Sequence, residues 1–280
     1  MWLIFVILSV VFNVLFTQFY KIDTKSANDR GALTVLLQLM AGVLALLVCP
    51  FFEFSFPKDW RVYGLLALAC VFYAISDRVN TSVRAGIEAS AYSIIQQLST
   101  VFMIAAGLLF FREPFILKKI AGACLIIISN VMIFYKRGEQ KLNKYLFIGI
   151  AANLAYSVAL FIDVNLSNRF NLAFYVSMTL LLPAVFLMTA ERIGPSAILN
   201  EYREGNRKSI IATCISWVGF LIFTLSAYQA GEVTVVAPLC SLTVIGSVIA
   251  GYIFLGERND LAKKLVAAFI IVFSVFLIKG

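Results

Sequence analysis

The chain has 280 residues, 61% of them hydrophobic and 14% charged, which is too apolar for a soluble domain. Its formal net charge of +8 comes from Lys and Arg in short segments beside apolar runs. This distribution favours contact with anionic lipid headgroups over nucleic-acid binding. We therefore expect an integral membrane protein whose partners include the lipid bilayer and no nucleic acid.

Ten apolar runs follow one another, each about long enough to cross a bilayer as a helix. Backbone polar groups cannot stay unpaired in hydrocarbon, and the runs lack the strict alternation of a β-barrel. We therefore predict an all-α integral membrane protein with ten transmembrane helices, beginning with a first span that is retained rather than cleaved as a signal peptide. The predicted spans are 2–20, 31–52, 60–76, 87–111, 115–135, 144–163, 170–190, 209–228, 233–255 and 261–278.

The second half of the chain resembles the first at an offset of 145 residues. This offset lays Ala85-Gly86 on Ala230-Gly231 and Lys118-Lys119 on Lys263-Lys264. Because five crossings are an odd number, the second copy must start on the opposite side of the membrane. We predict two inverted five-helix repeats in one membrane-embedded unit, an arrangement common in transporters. The predicted repeats comprise residues 1–138 and 139–280.

Polar side chains form a stripe along the fourth predicted span. At 100° per residue they fall within a sector of about 160°, opposite an apolar side. Polar groups in lipid are costly unless they face a partner or a hydrated cavity, so we interpret the stripe as part of a hydrated pathway. The alternative is hydrogen bonding between helices for structure alone. The stripe consists of Tyr92, Ser93, Gln96, Gln97, Ser99 and Thr100.

Further candidates for substrate binding lie in other spans. Asn13 and Asn153 occupy the first span of each half. Pro238 in the ninth span removes a backbone donor and frees a carbonyl that can bind a substrate or a cation. Packing remains an alternative interpretation for each of these side chains. The remaining candidates are Tyr73, Tyr156, Trp217 and Ser241.

Ionisable residues are expected only near the ends of spans. Since neither a buried cation nor a buried carboxylate is evident, a neutral or zwitterionic solute fits best. The chain contains no His, its five Cys lack metal-ligand spacing, and no catalytic constellation occurs, so we predict no catalytic site, metal or cofactor. The residues at span ends are Asp77, Arg78, Arg84, Glu88, Asp163 and Glu232.

Lys and Arg are concentrated in the connections after the odd-numbered spans. Because basic connections stay in the cytoplasm, this predicts extracytoplasmic termini and cytoplasmic connections at 136–144 and 192–208. The longest connection, 191–208, is compatible with a short helix in the headgroup layer or with a solvated loop.

Several segments resemble the EamA branch of the drug/metabolite transporter superfamily. Those of the first half are Ala85-Gly86, Ala89-Ser90-Ala91, Leu109-Phe110-Phe111-Arg112-Glu113-Pro114 and Gly122, and those of the second are Val236-Ala237-Pro238-Leu239 and Phe254-Leu255-Gly256-Glu257-Arg258. The resemblance implies a central cavity lined by spans 1, 3, 4, 6, 8 and 9, with spans 5 and 10 outside, and alternating access by the two halves.

Two features depart from the superfamily. Related small multidrug resistance transporters carry a membrane-embedded glutamate in the first helix, where this chain has Asn13 and no carboxylate. This argues against proton-coupled export of cationic drugs. Superfamily members are also often drawn with both ends in the cytoplasm, against the Lys and Arg distribution found here.

The leading hypothesis is a secondary transporter that moves a small neutral or zwitterionic metabolite, such as an amino acid, across the plasma (inner) membrane. Alternatives are an exporter of drug-like or cationic amphiphilic compounds, a non-transporting scaffold and, least supported, an intramembrane enzyme. Homodimer formation is left open.

Overall fold

The computed structural model describes residues 2–102, 105, 117–134, 144–231, 236, 239–257 and 261–279. All regular secondary structure in these segments is helical. Six of the described helices are long and apolar enough to cross a membrane. The chain is therefore an all-α, multi-pass membrane protein, as predicted from its composition.

The described helices follow the predicted spans in order. They are α1 (Trp2–Ser26), α2 (Arg30–Val48), α3 (Trp60–Gly86), α4 (Ala89–Gln96), α5 (Leu117–Phe134), α6 (Lys144–Leu166), α7 (Leu172–Ala190), α8 (Pro195–Glu204), α9 (Arg207–Ala230), α10 (Thr243–Phe254) and α11 (Leu261–Lys279). Short 3₁₀ turns, Cys49–Phe51 and Ser167–Arg169, follow α2 and α6.

Asp and Asn side chains determine where four of the long helices begin. Asp29, Asp59, Asn171 and Asn206 each accept a hydrogen bond from an amide in the first turn of α2, α3, α7 and α9, respectively. These amides have no partner within their own helix, so a capping oxygen satisfies them at the membrane surface.

The first helix shows how the surface and the interior differ. Ile4, Ile7 and Val11 are exposed, whereas Ser9 and Asn13 on the same helix are buried. An apolar outside with a polar inside is the reverse of a soluble protein, and it fits a helix that faces lipid on one side and a protein interior on the other.

Helix α3 is ten residues longer than predicted, and charged side chains of its last turns find partners on neighbouring elements. The Asp77 carboxylate accepts a hydrogen bond from Gln38 at 2.8 Å, and Arg78 pairs with Glu191 at 2.7 Å. The prediction of a span ending at residue 76, with these charges beyond it, is therefore wrong.

The fourth span is interrupted in its middle. Helix α4 ends at Gln96, Gln97 forms a turn, and residues 98–102 are helical again. A second interruption lies at Ser241 and Leu242, between helical residues 239–240 and α10. At each break a hydroxyl accommodates a backbone carbonyl that lacks its helical partner: Ser99 donates to Gln96 O at 2.7 Å, and Thr243 donates to Cys240 O at 2.6 Å.

Helices from the two halves of the chain pack against each other. The contacting pairs are α1 with α9, α2 with α7, α3 with α6, α4 with α10, and α5 with α11. Glycine permits a close approach in the first two pairs: a Cβ atom at Gly219 would lie 2.4 Å from the Phe12 ring, and one at Gly42 would lie 2.6 Å from Leu181. The bundle is thus held together by contacts between the halves.

The 191–208 connection contains a short helix, α8, which agrees with the predicted short helix and not with the alternative of a solvated loop. Glu201 of this helix is buried, and its carboxylate accepts a hydrogen bond from the Asp29 amide at 2.6 Å. Helix α8 is therefore fastened to the connection between α1 and α2.

Candidate functional site

Two neighbouring cavities lie among the helices, and we name them by one residue each. The Arg84 cavity has a volume of about 30 Å³ for the centre of a water-sized sphere and is lined by Phe16, Tyr20, Tyr73, Asp77, Asn80, Arg84, Tyr92, Gln96, Tyr156, Thr179, Leu180, Trp217, Phe220 and Leu221. The Gln97 cavity has about 50 Å³ by the same measure and is lined by Asn13, Gln96, Gln97, Ser99, Thr100, Tyr156, Leu160, Phe220, Thr224, Tyr228, Cys240 and Ser241. Gln96, Tyr156 and Phe220 border both cavities.

One face of α3 supplies the ionic groups of the Arg84 cavity. Asp77, Asn80 and Arg84 follow the i, i+3, i+7 spacing that places side chains on one side of a helix over two turns. The Asn80 amide donates to Ser76 Oγ at 3.0 Å, whereas its Oδ1 has no partner among the described residues. This face thus carries an anion, an amide and a cation in sequence.

The Arg84 guanidinium lies in a cage of aromatic rings. Its central carbon is 3.8 Å from the ring centroid of Tyr92, 4.8 Å from that of Tyr20 and 5.0 Å from that of Phe16. Arg84 is 3% exposed, and within the described part of the chain its Nε and Nη1 have no hydrogen-bond acceptor. The rings stabilise the charge, and two buried donors of the guanidinium have no acceptor among the described residues.

Lys21 fixes the end of α3 and with it the position of Arg84. Its buried ammonium donates hydrogen bonds to the carbonyl oxygens of Arg84, Ala85 and Ile87. A cation at the carboxyl end of a helix satisfies free carbonyls and complements the helix dipole. The last turn of α3 is thereby held against α1.

Aromatic side chains also line the Arg84 cavity. Trp217 stacks on Phe16 with centroids 5.2 Å apart and an interplanar angle of 26°. Tyr73 and Tyr156 meet edge to face at 6.0 Å. Such a wall gives an organic molecule apolar area beside the charged groups of α3.

Hydroxyl and amide groups line the Gln97 cavity, which contains both helix interruptions. The Gln97 amide donates to Ser93 O at 3.3 Å, and Asn13 Oδ1 accepts from Thr17 at 3.4 Å. Among the described lining residues of this cavity, none carries a formal charge. The two cavities thus differ in chemistry, one ionic and aromatic, the other polar and neutral.

The structure brings most of the predicted site residues to a cavity wall. They are Asn13, Tyr73, Tyr92, Gln96, Gln97, Tyr156, Trp217 and Ser241. Ser93 and Asn153 line neither cavity, and each donates to the carbonyl four residues earlier in its own helix. Pro238 lies outside the described residues, as do Glu232 and Arg112-Glu113.

The prediction that ionisable residues stay near span ends is wrong for three of them. Asp77 and Arg84 line a cavity, and Asp163 is buried between the hydroxyls of Tyr73 and Tyr175. A signal was present in the sequence: Tyr73, Asp77, Asn80 and Arg84 continue one helical face beyond residue 76.

No group of three or more His, Cys, Asp or Glu in the described segments could hold a metal ion.

Residues 1–135 match the sequence model of the EamA-like transporter family, part of the drug/metabolite transporter superfamily, which confirms the resemblance seen in the sequence. A solved structure, described only as a crystal structure of a protein, is similar with a TM-score of 0.63 and 13% identity. The similarity covers 97% of this chain and 98% of that chain, and at this identity it shows the fold alone. No curated protein matches the chain in sequence.

Proposed function

From the match of residues 1–135 to the EamA-like transporter family, we propose a secondary transporter for a small zwitterion, such as an amino acid with an apolar side chain. Members of this family are transporters, not enzymes. The observation that carries the proposal is the placement of Asp77 and Arg84 on one face of α3, in a cavity that is also lined by aromatic rings.

The charges in the Arg84 cavity favour a zwitterionic substrate. The free guanidinium donors of Arg84 suit a carboxylate, which accepts charge-assisted hydrogen bonds from a planar donor pair. Asp77, which accepts one bond from Gln38, suits an ammonium group. A molecule bearing both charges satisfies both side chains at once, whereas a singly charged molecule leaves one buried charge uncompensated.

The apolar part of the substrate would rest on aromatic surface. Trp217 and Phe220 line the same cavity as the two charges. An apolar substrate side chain that packs against them is removed from contact with water, which favours binding. We therefore favour amino acids with aromatic or branched aliphatic side chains over small polar ones.

Two features of the helices support alternating access by inverted repeats. The pairing of α1 with α9 and of α3 with α6 is the pattern that a two-fold axis relating residues 1–138 to 139–280 would produce. The helix interruptions at Gln97 and Leu242 are separated by the predicted 145-residue offset. Discontinuous helices at a central site are typical of transporters with inverted repeats.

The direction of the chain in the membrane is proposed from the Lys and Arg distribution. Helix α8 and the end of α3 lie on the side where basic residues are concentrated, so we place this side in the cytoplasm of a plasma (inner) membrane and both termini outside.

Counterflow in liposomes tests the proposal. Purified protein is reconstituted with unlabelled L-phenylalanine inside, and uptake of labelled L-phenylalanine is measured with and without competitors. We expect L-leucine to compete, whereas phenethylamine, which lacks the carboxylate, and 3-phenylpropionate, which lacks the ammonium, compete at least about tenfold more weakly.

Two results would contradict the proposal. In the first, the reconstituted protein shows no counterflow with any proteinogenic amino acid, although its cooperative unfolding transition shows that it is folded. This result argues for a non-transporting protein. Stronger competition by phenethylamine than by L-leucine argues for an exporter of amphiphilic cations, with Asp77 and the aromatic wall as its site.

A further inference from the structure

Asp163 is a buried carboxylate just behind the wall of the Arg84 cavity, and the proposed transport cycle does not yet use it. We propose that Asp163 is a proton-binding site that couples substrate movement to a proton gradient, an inference that rests on the proposed transport function. Tyr73 connects the two, because its ring lines the cavity and its hydroxyl contacts Asp163.

The surroundings of Asp163 contain donors but no compensating charge. The side chain is 2% exposed; Oδ2 accepts a hydrogen bond from Tyr73 at 2.5 Å, and Oδ1 accepts one from Tyr175 at 2.7 Å. No Lys or Arg of the described segments forms an ion pair with it. A carboxylate buried inside a membrane protein without a cation is costly, and binding a proton removes the charge.

The titratable groups that face Asp163 are all neutral donors. Cys70 and Tyr73 approach from α3, Tyr175 approaches from α7, and Tyr156 lies on the same helix with its ring against Tyr73. None of them replaces the missing cation at neutral pH. The charge at this position therefore depends on whether the carboxylate itself holds a proton.

A change of protonation at Asp163 alters the cavity wall through Tyr73. The ionised carboxylate can only accept, so the Tyr73 hydroxyl must point its hydrogen at Asp163. When a proton binds to Oδ2, the acid donates to the Tyr73 oxygen instead, and the Tyr73 hydrogen is free to turn toward the cavity. The protonated form thus offers one more donor to a substrate carboxylate.

The change of hydrogen-bond direction at Tyr73 couples the binding of the proton to the binding of the substrate. Since the proton creates a donor that the substrate uses, each ligand strengthens the binding of the other, as linkage requires. The cycle carries one proton on Asp163 together with one zwitterion, takes both up on one side and releases both on the other. The inference is therefore proton symport.

The experiment compares exchange with proton-driven accumulation in the same liposomes. Wild-type protein should accumulate labelled L-phenylalanine when the outside is acidic, and an inward L-phenylalanine gradient should acidify a lumen that contains a pH-sensitive dye. Asp163→Asn cannot exchange a proton, so we expect proton-driven accumulation to fall at least about tenfold while counterflow stays within about twofold.

Asp23→Asn is the matched control. Asp23 is equally buried at 2% exposure and accepts from Thr213 at 2.5 Å, but it lines neither cavity. We expect this variant to retain proton-driven accumulation. Equal loss in both variants would mean that any buried carboxylate matters for structure alone, and would overturn the assignment to Asp163.

The results separate the two proposals. Wild-type protein without counterflow contradicts transport itself, whereas counterflow without any response to the pH gradient contradicts only the proton site. Asp163→Asn with full proton-driven accumulation also overturns it. Should Asp163→Asn fail to insert, Tyr73→Phe keeps the ring and the carboxylate but removes the connecting hydroxyl; unchanged proton-driven accumulation in that variant contradicts the inference.

Discussion

Gln96 and Ser241, which are 145 residues apart, line the same cavity, and each lies at an interruption of its helix. The predicted repeat pairs these two positions. Backbone groups that leave the regular helix need other partners, and the hydroxyls of Ser99 and Thr243 provide them for one carbonyl at each break. Irregular backbone at membrane depth is tolerated where it is buried in protein or borders a hydrated space, and both of these breaks border the Gln97 cavity.

Replacing Arg84 by Gln should weaken the binding of a zwitterionic substrate. Arg84→Gln removes the cation and leaves Asp77 as the single charge of the cavity, so the substrate carboxylate loses its partner. We expect the half-saturating concentration of L-phenylalanine in counterflow to rise at least about tenfold, equivalent to about 1.4 kcal/mol.

Arg78→Gln is the control for that change. Arg78 lies on the same helix but pairs with the half-exposed Glu191 outside both cavities. An exposed ion pair contributes about 0–1 kcal/mol, so counterflow should remain within about twofold of wild type. An equal effect of both substitutions would show that Arg84 acts through folding rather than binding.

Gln97→Leu distinguishes a transporter from a scaffold. Gln97 borders the Gln97 cavity with a polar amide, and leucine of similar size would make that wall apolar. Stability in detergent should change little, because the Gln97 amide donates to Ser93 O in its own helical segment and not to a neighbouring helix. Counterflow should fall several-fold. Unchanged counterflow would contradict a hydrated pathway at this position. The control is Gln229→Leu, which removes an amide from the exposed end of α9.

Gly219→Ala should destabilise the contact between α1 and α9. The new Cβ atom would lie 2.4 Å from the Phe12 ring, and overpacking of this kind costs about 1–3 kcal/mol. Gly64→Ala is the matched control in α3, since nothing lies within 4 Å of a Cβ atom there. Thermal unfolding in detergent should show a lower midpoint for the first variant and an equal or higher one for the second.

Glu257→Gln should loosen the start of α4. The Glu257 carboxylate accepts hydrogen bonds from the Ala89 amide at 2.6 Å and the Ser90 amide at 3.1 Å, with Lys264 at 4.0 Å. A buried anion at a helix amino terminus contributes up to about 2 kcal/mol. The unfolding midpoint should fall more than in Glu191→Gln, which breaks an exposed pair; an equal or smaller fall would contradict a capping role.

Cysteine labelling tests the proposed orientation. In a variant with the exposed Cys124 replaced by Ser, Lys58→Cys should react with a membrane-impermeant maleimide in intact cells. Ser196→Cys, at the start of α8, should react only after permeabilisation. The opposite pattern would place the termini in the cytoplasm, as in the usual drawing of the superfamily.

The polar wall of the Gln97 cavity could be predicted from sequence because lipid penalises polar side chains. Gln96 and Gln97 in the middle of an apolar run had to face something other than hydrocarbon. The same reasoning could not separate them from Ser93 and Asn153. Gln97, Ser93 and Asn153 all donate to the carbonyl one turn earlier, so this bond does not distinguish them, and the sequence does not show which side chain reaches a cavity wall.

The ionic part of the site was missed for a related reason. Charges beyond residue 76 were assigned to a connection, because an unpaired charge in lipid is costly. That argument considers one helix at a time. Gln38 from α2 and the rings around Arg84 supply the partners that make these charges tolerable, and they become visible only when the helices are assembled.

Phe12 rests on the bare backbone of Gly219, and Val14 rests on that of Gly246, so α1 is anchored to two helices from the other half of the chain. Helices in such close contact are expected to move together as a rigid body. In a rocking motion, α1 would then move with the two helices that contain Gly219 and Gly246, and the boundary between the moving parts would pass through each predicted repeat. Under the proposed alternating access, the parts that move together would therefore differ from the two predicted repeats, residues 1–138 and 139–280.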